Sequence, residues 1–175
     1  MIDEKLKLKS YLSFKLGEEI FAANVSKVLN ILEMTKITQV PKAPNYMKGV
    51  INLRGTVLPV IDTRIKFGLS ATEFTPNTCI LVLEVIVENE HLHIGALVDA
   101  VQEVLEIEDE ELLAAPTLGN RYRSEFINGM YKLTDEQFIM MLDMDRVFSV
   151  DDVNLLSQHT STVNLNVIDD AKKEN

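Results

Sequence analysis

The sequence has 175 residues, with one cysteine, no tryptophan and seven glycines. A lone thiol, Cys79, excludes an internal disulfide and any multi-cysteine metal site, and suits a reducing compartment. None of the glycines falls in a dinucleotide or nucleoside-triphosphate motif, so no phosphate-cradling loop is expected. A Gly-x-Ser-x-Gly nucleophile motif is also missing. Basic residues are outnumbered, 17 Lys and Arg against 27 Asp and Glu, for a formal net charge of −10. An acidic surface repels nucleic acid and anionic lipid heads. Aromatic residues make up only 6%, too few for a base-stacking face. Proteins are the expected partners. The longest apolar runs, Ile80 to Leu83 and Phe138 to Leu142, fall far short of the ~20 residues of a membrane span. The first ten residues hold no signal-peptide core. A cytoplasmic protein with no direct membrane insertion is expected.

Apolar residues make up 46% of the chain, enough for a packed interior. They come in short runs bounded by turn residues, the pattern of strands. Tyr11–Leu16 and Ile20–Val25 read as a hairpin about Gly17-Glu18-Glu19. Ser26 is a candidate cap for a short helix carrying Val28, Leu29, Ile31 and Leu32 at helical spacing. Pro41 and Pro44 predict an irregular stretch. Strands follow at Gly49–Leu53 and Val57–Ile61 about Arg54-Gly55, then at Thr78–Val87 and Leu92–Val98 about Glu88-Asn89-Glu90. Asp109–Leu113 reads as a helical turn. Phe126–Leu133 and Phe138–Leu142 read as a hairpin, and Asp151–Ser157 as a last helix. Residues 158–175 read as a polar tail and 1–9 as a leading segment.

Two stretches repeat. Val25 to Glu33 aligns on Val98 to Glu106, an offset of 98 − 25 = 73, with Ser26 and Asp99 in matching positions. Gly49 to Leu53 aligns on Gly129 to Leu133, an offset of 129 − 49 = 80, and each is followed by an apolar strand ending in Asp62 or Asp143. In the second copy Val101 to Leu105 fits a strand as well as a helix. Two units, each too small to bury much alone, should pack on one another. Strands at this spacing suggest two small barrels meeting at an apolar seam with grooves at its edges.

Few side chains suggest chemistry. His91 and His93 alternate on one strand, but a metal needs a further ligand, for which only Glu88 or Glu90 is near. His159 falls in the tail. Cys79 has neither a nearby positive charge nor a helix N-terminus, so it reads as a small hydrophobe. Glu106 and Glu108 to Glu111 lack the glycine and spacing of a calcium loop. Asp62, ending a strand, is expected to satisfy turn amides or an arginine. Arg54, at a turn, reads either as a surface residue or as an interface arginine beside an apolar groove.

The stretches Gly49-Val-Ile-Asn-Leu-Arg-Gly55, Val57-Leu-Pro-Val-Ile-Asp62 and Arg64-Ile-Lys-Phe67 resemble the signature of CheW and of the CheW-like regulatory domain of the kinase CheA. Gln39-Val-Pro, Pro44 to Gly49, Tyr11 to Gly17, Ile94 to Asp99 and Val101 to Leu105 extend the resemblance, which spans residues 10 to 150. It implies an all-β fold with a few short helices: two five-stranded SH3-like β-barrels packed across a shared hydrophobic core. It also implies one CheW-like domain over 10–157, made of two interleaved barrel subdomains. The implied function is that of a non-enzymatic adaptor, without cofactor, joining the cytoplasmic hairpin tip of chemoreceptors to the regulatory domain of the histidine kinase CheA at membrane-associated arrays. The implied receptor groove takes Val28, Asn30, Ile31, Gly49, Asn52, Leu53, Arg54, Gly55, Val101 and Val104. Kinase or ring contacts are expected at Pro116 and Leu118. Asn30 stands where many relatives carry glutamate, and Leu118 where phenylalanine is frequent. With no kinase, phosphotransfer or receiver segment and a methionine at its start, a free-standing adaptor is expected.

Overall fold

The computed structural model describes residues 8–115, 126–149 and 151–156. Eleven strands carry these residues. They are β1 (Leu8–Leu16), β2 (Glu19–Asn24), β3 (Val28–Glu33), β4 (Met47–Leu53), β5 (Thr56–Asp62), β6 (Cys79–Val87), β7 (Glu90–Val98), β8 (Ala100–Glu108), β9 (Leu112–Leu113), β10 (Ile127–Lys132) and β11 (Phe138–Leu142). Two four-residue helices, α1 (Thr63–Lys66) and α2 (Met144–Val147), follow β5 and β11. Residues 151–156 form a last helical turn and a half. Pro116, Leu118 and the tail lie outside the described residues, as do residues 1–7.

The strands form two sheets, in the orders β8-β1-β2-β11-β10-β9 and β3-β6-β7-β5-β4. Both close on themselves. β8 and β9 stand at opposite ends of the first order, yet only three residues, Asp109–Glu111, join them. In the second, the chain leaving β3 reaches the far edge, where Thr38 and Val50 exchange backbone hydrogen bonds of 2.9 and 2.8 Å. Curling of this kind brings the ends of each sheet together, while the outer edges of β3 and β8 stay unpaired by any described strand. These are the two small barrels that the sequence suggests. The two-residue β9 makes the first sheet six-stranded rather than five.

The repeat is carried by matching registers. Ile61 pairs Ala96 in the parallel β5–β7 ladder, and Leu142 pairs Ala23 in the parallel β11–β2 ladder. The offsets are 142 − 61 = 81 and 96 − 23 = 73. Each barrel therefore takes a hairpin from one repeat and the remaining strands from the other, four in the first barrel and three in the second. β1 and β2 pair with β8 and β11, while β6 and β7 pair with β3 and β5. Gly49 and Gly129 occupy equivalent crossings. A Cβ on Gly49 would sit 2.2 Å from the Thr38 carbonyl oxygen, and one on Gly129 2.9 Å from that of Leu113.

Alternation along the strands sorts the apolar residues into three layers. In β2, Ile20 and Ala22 face the interior of the first barrel, while Phe21 and Ala23 face the seam. In β6, Ile80 and Val82 fill the second barrel, while Leu81, Leu83 and Val85 face the seam. Strands buried on both faces read as continuous apolar runs, which explains Ile80 to Leu83. Among the described residues the seam holds 20 buried apolar side chains, against six inside each barrel. Most of the core thus lies between the barrels.

Two sequence expectations need correction. Residues 28–33 are strand, not helix: only Val25–Lys27 turn, as a 3-10 segment, and the cap is Asn24, whose side chain accepts from the Ser26 amide, rather than Ser26. The segment Val-Leu-Asn-Ile-Leu-Glu fits period 2 as well as period 3.6, and pairing with β6 decides. Asp99, matched to Ser26, caps no helix; it accepts from the Gly17 amide and binds Arg64.

Candidate functional site: the edge strands and the β4–β5 hairpin

β3 and β8 are equivalent in the repeat, and each ends its sheet. Each bulges at the same point, β3 between Val28 and Asn30 and β8 between Val101 and Val104. A bulge twists an edge and frees backbone groups. The two strands meet across the seam at a cavity of about 510 Å³, lined by Glu33 and Met34 on one side, Ala100 and Val101 on the other, and residues 75–79. Within it, burial raises the pKa of the Cys79 thiol, partly countered by the Val101 amide. That favours the neutral thiol over a reactive thiolate.

Along these strands, apolar side chains meet solvent. Leu29 is 48% exposed, Ile31 46% and Val104 58%. Val28 and Val101 turn inward and pack on the seam. The Asn30 side-chain oxygen accepts a hydrogen bond from the Ile31 amide at 2.9 Å, so this side chain is folded onto its own backbone. Leu29, read at helical spacing in the sequence, is absent from the expected groove residues. The period-2 pattern that puts Ile31 and Glu33 on the exposed face of β3 includes it.

The remaining expected residues lie on the β4–β5 hairpin. Arg54 and Gly55 form a two-residue turn with φ of +52° and +84°, the backbone of a tight twisted hairpin. Asn52 Oδ1 accepts from the Gly55 amide at 2.8 Å and fixes the turn. Leu53 packs into the second barrel. Gly49 is buried beneath Thr38, so its role is architectural. Arg54 is exposed, and no described residue pairs with it. The expected residues therefore fall into two groups, one on the β3–β8 edges and one at the hairpin tip.

Three aspartates tie the barrels together. Asp99 takes a forked bond from Arg64, at 2.9 and 3.0 Å to Nε and 2.6 Å to Nη2, and one from the Gly17 amide at 2.6 Å. Asp145 accepts from Lys27 at 2.9 Å and from the Ile86 amide at 2.8 Å. Asp152 accepts from Tyr46 at 2.7 Å, from Lys66 at 2.5 Å and from the Ser149 amide at 3.0 Å. Burial pushes the Asp152 carboxyl upward, but Lys66, the Ser149 amide and Tyr46 together outweigh it and hold the pKa at about 2. Asp62 is fully buried and serves local groups. It accepts from the Arg64 amide and from both the amide and hydroxyl of Thr72, whereas the Arg64 guanidinium goes to Asp99. Glu84, opposite His93, meets His91 Nδ1 at 2.5 Å. Among the described residues no cluster of three or more His, Cys, Asp or Glu side chains is arranged to hold a metal.

A barrel pair with interleaved strands is specific enough to compare with known proteins. The CheW-like domain family matches residues 10–152. The chain belongs to the CheW-like family. It is 32% identical over 141 residues to a probable chemotaxis protein CheW of Rhizobium etli, covering 81% of this chain and 88% of that one. It is 29% identical over 148 residues to the chemotaxis protein CheW of Klebsiella aerogenes, covering 85% and 86%. The crystal structure of the scaffolding protein TtCheW from Thermoanaerobacter tengcongensis superimposes with a TM-score of 0.72 at 27% identity, covering 87% of this chain and 95% of that one. The CheW-like fold, two SH3-like barrels sharing a seam, is thus established for this chain. No helix among the described residues is long and apolar enough to cross a membrane.

Proposed function

We propose that this CheW-like chain is a non-enzymatic adaptor in chemotaxis, joining the cytoplasmic hairpin tip of a chemoreceptor to the regulatory domain of the histidine kinase CheA. The observation that carries the reading is the pairing of two open edges. β3 and β8 contribute residues to one cavity and expose Leu29, Ile31 and Val104 along their lengths. An amphipathic receptor helix has the apolar stripe to cover such side chains. Arg54, exposed at the hairpin tip and without a partner among the described residues, is suited to a partner carboxylate or carbonyl. Kinase or ring contacts through Pro116 and Leu118 complete the proposal, and recruitment to membrane-associated arrays follows from the receptor contact.

The test is co-purification of the chain with a CheA regulatory domain and with a receptor cytoplasmic hairpin. Capture of both is expected. Well-folded protein that retains neither would refute the adaptor reading. Ile31→Asp and Val104→Asp should abolish receptor capture while sparing kinase capture, since both side chains are exposed on the edge strands.

A further inference from the structure

Away from those edges, a second cavity of about 320 Å³ lies between the segment that follows β3, the strand β4, and the connection from α1 to β6. Met34 and Ile37 give it an apolar floor, and Lys36, Lys48 and Phe74 stand around it. Phe74 is 56% exposed and belongs to none of the three apolar clusters. The Lys48 ammonium lies 5.3 Å from its ring centroid, within cation–π range.

Four described lysines, Lys15, Lys36, Lys42 and Lys48, lack a salt-bridge partner, and two of them line this cavity. In a chain of net charge −10, carboxylates are in excess, and Lys9, Lys27, Lys66 and Lys132 are each taken by an aspartate. Among the described residues neither Lys36 nor Lys48 has a carboxylate partner. Two unpaired ammonium groups thus flank an exposed aromatic over an apolar floor.

We infer that this cavity docks a short acidic segment of a partner protein, with a carboxylate meeting Lys36 and Lys48 and a neighbouring apolar side chain lying on Phe74. Charge complementarity selects the occupant. A long polyanion such as nucleic acid, or an anionic lipid surface, would meet the acidic remainder of the molecule and be repelled. A few carboxylates on a peptide feel mainly the two nearby lysines, because screening limits the range to about 8 Å at physiological salt. The cavity shares Met34 with the β3–β8 cavity, but Lys36, Lys48 and Phe74 line only this one, so the peptide titration tests it apart from the adaptor reading.

An amide NMR titration of the whole chain tests the inference. The probe is the acetylated, amidated peptide Gly-Asp-Leu-Glu-Leu-Gly, with Gly-Asn-Leu-Gln-Leu-Gly as the uncharged control. Expected are saturable shifts centred on Lys36, Ile37, Lys48 and Phe74, with the control at least about fivefold weaker. Lys36→Glu, Lys48→Glu and Phe74→Ser should each weaken the acidic peptide by about fivefold or more, on the same scale. Absence of shifts, shifts centred elsewhere, or an equal response to the control would overturn the inference. So would a preference for a single-stranded oligonucleotide or for anionic vesicles. If a variant fails to fold, the comparison of the two peptides on the wild-type chain decides alone.

Discussion

Replacing Phe21 by alanine tests whether the seam makes the two barrels one folding unit. Phe21 is 6% exposed and sits on the seam face of β2. Its ring lies 6.2 Å from Phe14 and 5.5 Å from Phe67, which in turn stacks on Phe126 at 4.9 Å. This aromatic row crosses from β1 and β2 to the end of α1 and back to the start of β10. Truncating a buried phenylalanine costs about 3–5 kcal/mol. Aromatic pairs add about 0.5–1.5 kcal/mol beyond area, so the upper half of that range, about 4 kcal/mol, is expected. For a chain of this size such a loss lowers the melting temperature by about 8–16 °C. The measurement is urea unfolding followed by circular dichroism, together with calorimetry. One transition is expected in both proteins, with a lower midpoint and an unchanged slope in the variant. Ile107→Ala, inside the first barrel, should move the same transition. Two transitions in the wild-type protein, or a loss under about 1 kcal/mol for Phe21→Ala, would refute the reading that the seam makes the two barrels one folding unit.

Two further perturbations follow from the geometry. The Asp152 pKa of about 2 lies below the ordinary carboxylate value, so its pairing stabilises the fold above about pH 4 and is lost as pH falls toward 2. About 2 kcal/mol should disappear across that window, and Asp152→Asn should flatten the acid limb of a stability–pH curve while lowering stability at pH 7. Gly49→Ala should cost about 3 kcal/mol, because its Cβ would overlap the Thr38 carbonyl and its φ is +150°. Gly129→Ala, with a contact of 2.9 Å, should cost less in the same denaturant titration.

Much of the architecture is legible in the sequence because strand alternation and turn residues are local signals. The hairpin about Glu88 and Asn89, the β4–β5 hairpin and the repeat all follow from them. β3 is not legible, since Val28 to Glu33 fits two periods and only pairing with β6 chooses. Nor is β9, whose two residues exist as strand only because β10 offers them an edge. Helices as short as α1 and α2 are likewise silent. They depend on Asp62 and Asp143, whose side chains accept from the first-turn amides. At the site, Arg54 and Ile31 stand out by residue type. Leu29 needs the correct period, and the Asp99–Arg64 clamp joins residues 35 apart that only the fold brings together.

The duplicated scaffold makes Arg54 informative. Its counterpart turn in the second copy is wider, with Thr134 Oγ1 accepting from the Gln137 amide at 3.0 Å and Leu133 bonded to Gln137. The fold therefore tolerates a relaxed turn at this place, yet the first copy holds a two-residue turn with a left-handed arginine. Such a turn favours Asn, Asp or Gly at its first central position. An arginine there forgoes stability, and no contact among the described residues offsets it. Arg54→Asn should accordingly raise stability by about 0.5–1 kcal/mol, or about 1–4 °C in melting temperature. The same change should weaken receptor coupling by about 2 kcal/mol if Arg54 is an interface hot spot. A reconstituted array reports the second effect as loss of kinase activation. A stabilised variant with full coupling would remove Arg54 from the interface, and a destabilised one would show that the turn geometry does not oppose arginine. Only opposite signs of the two effects fit a residue kept for recognition against the preference of its own backbone.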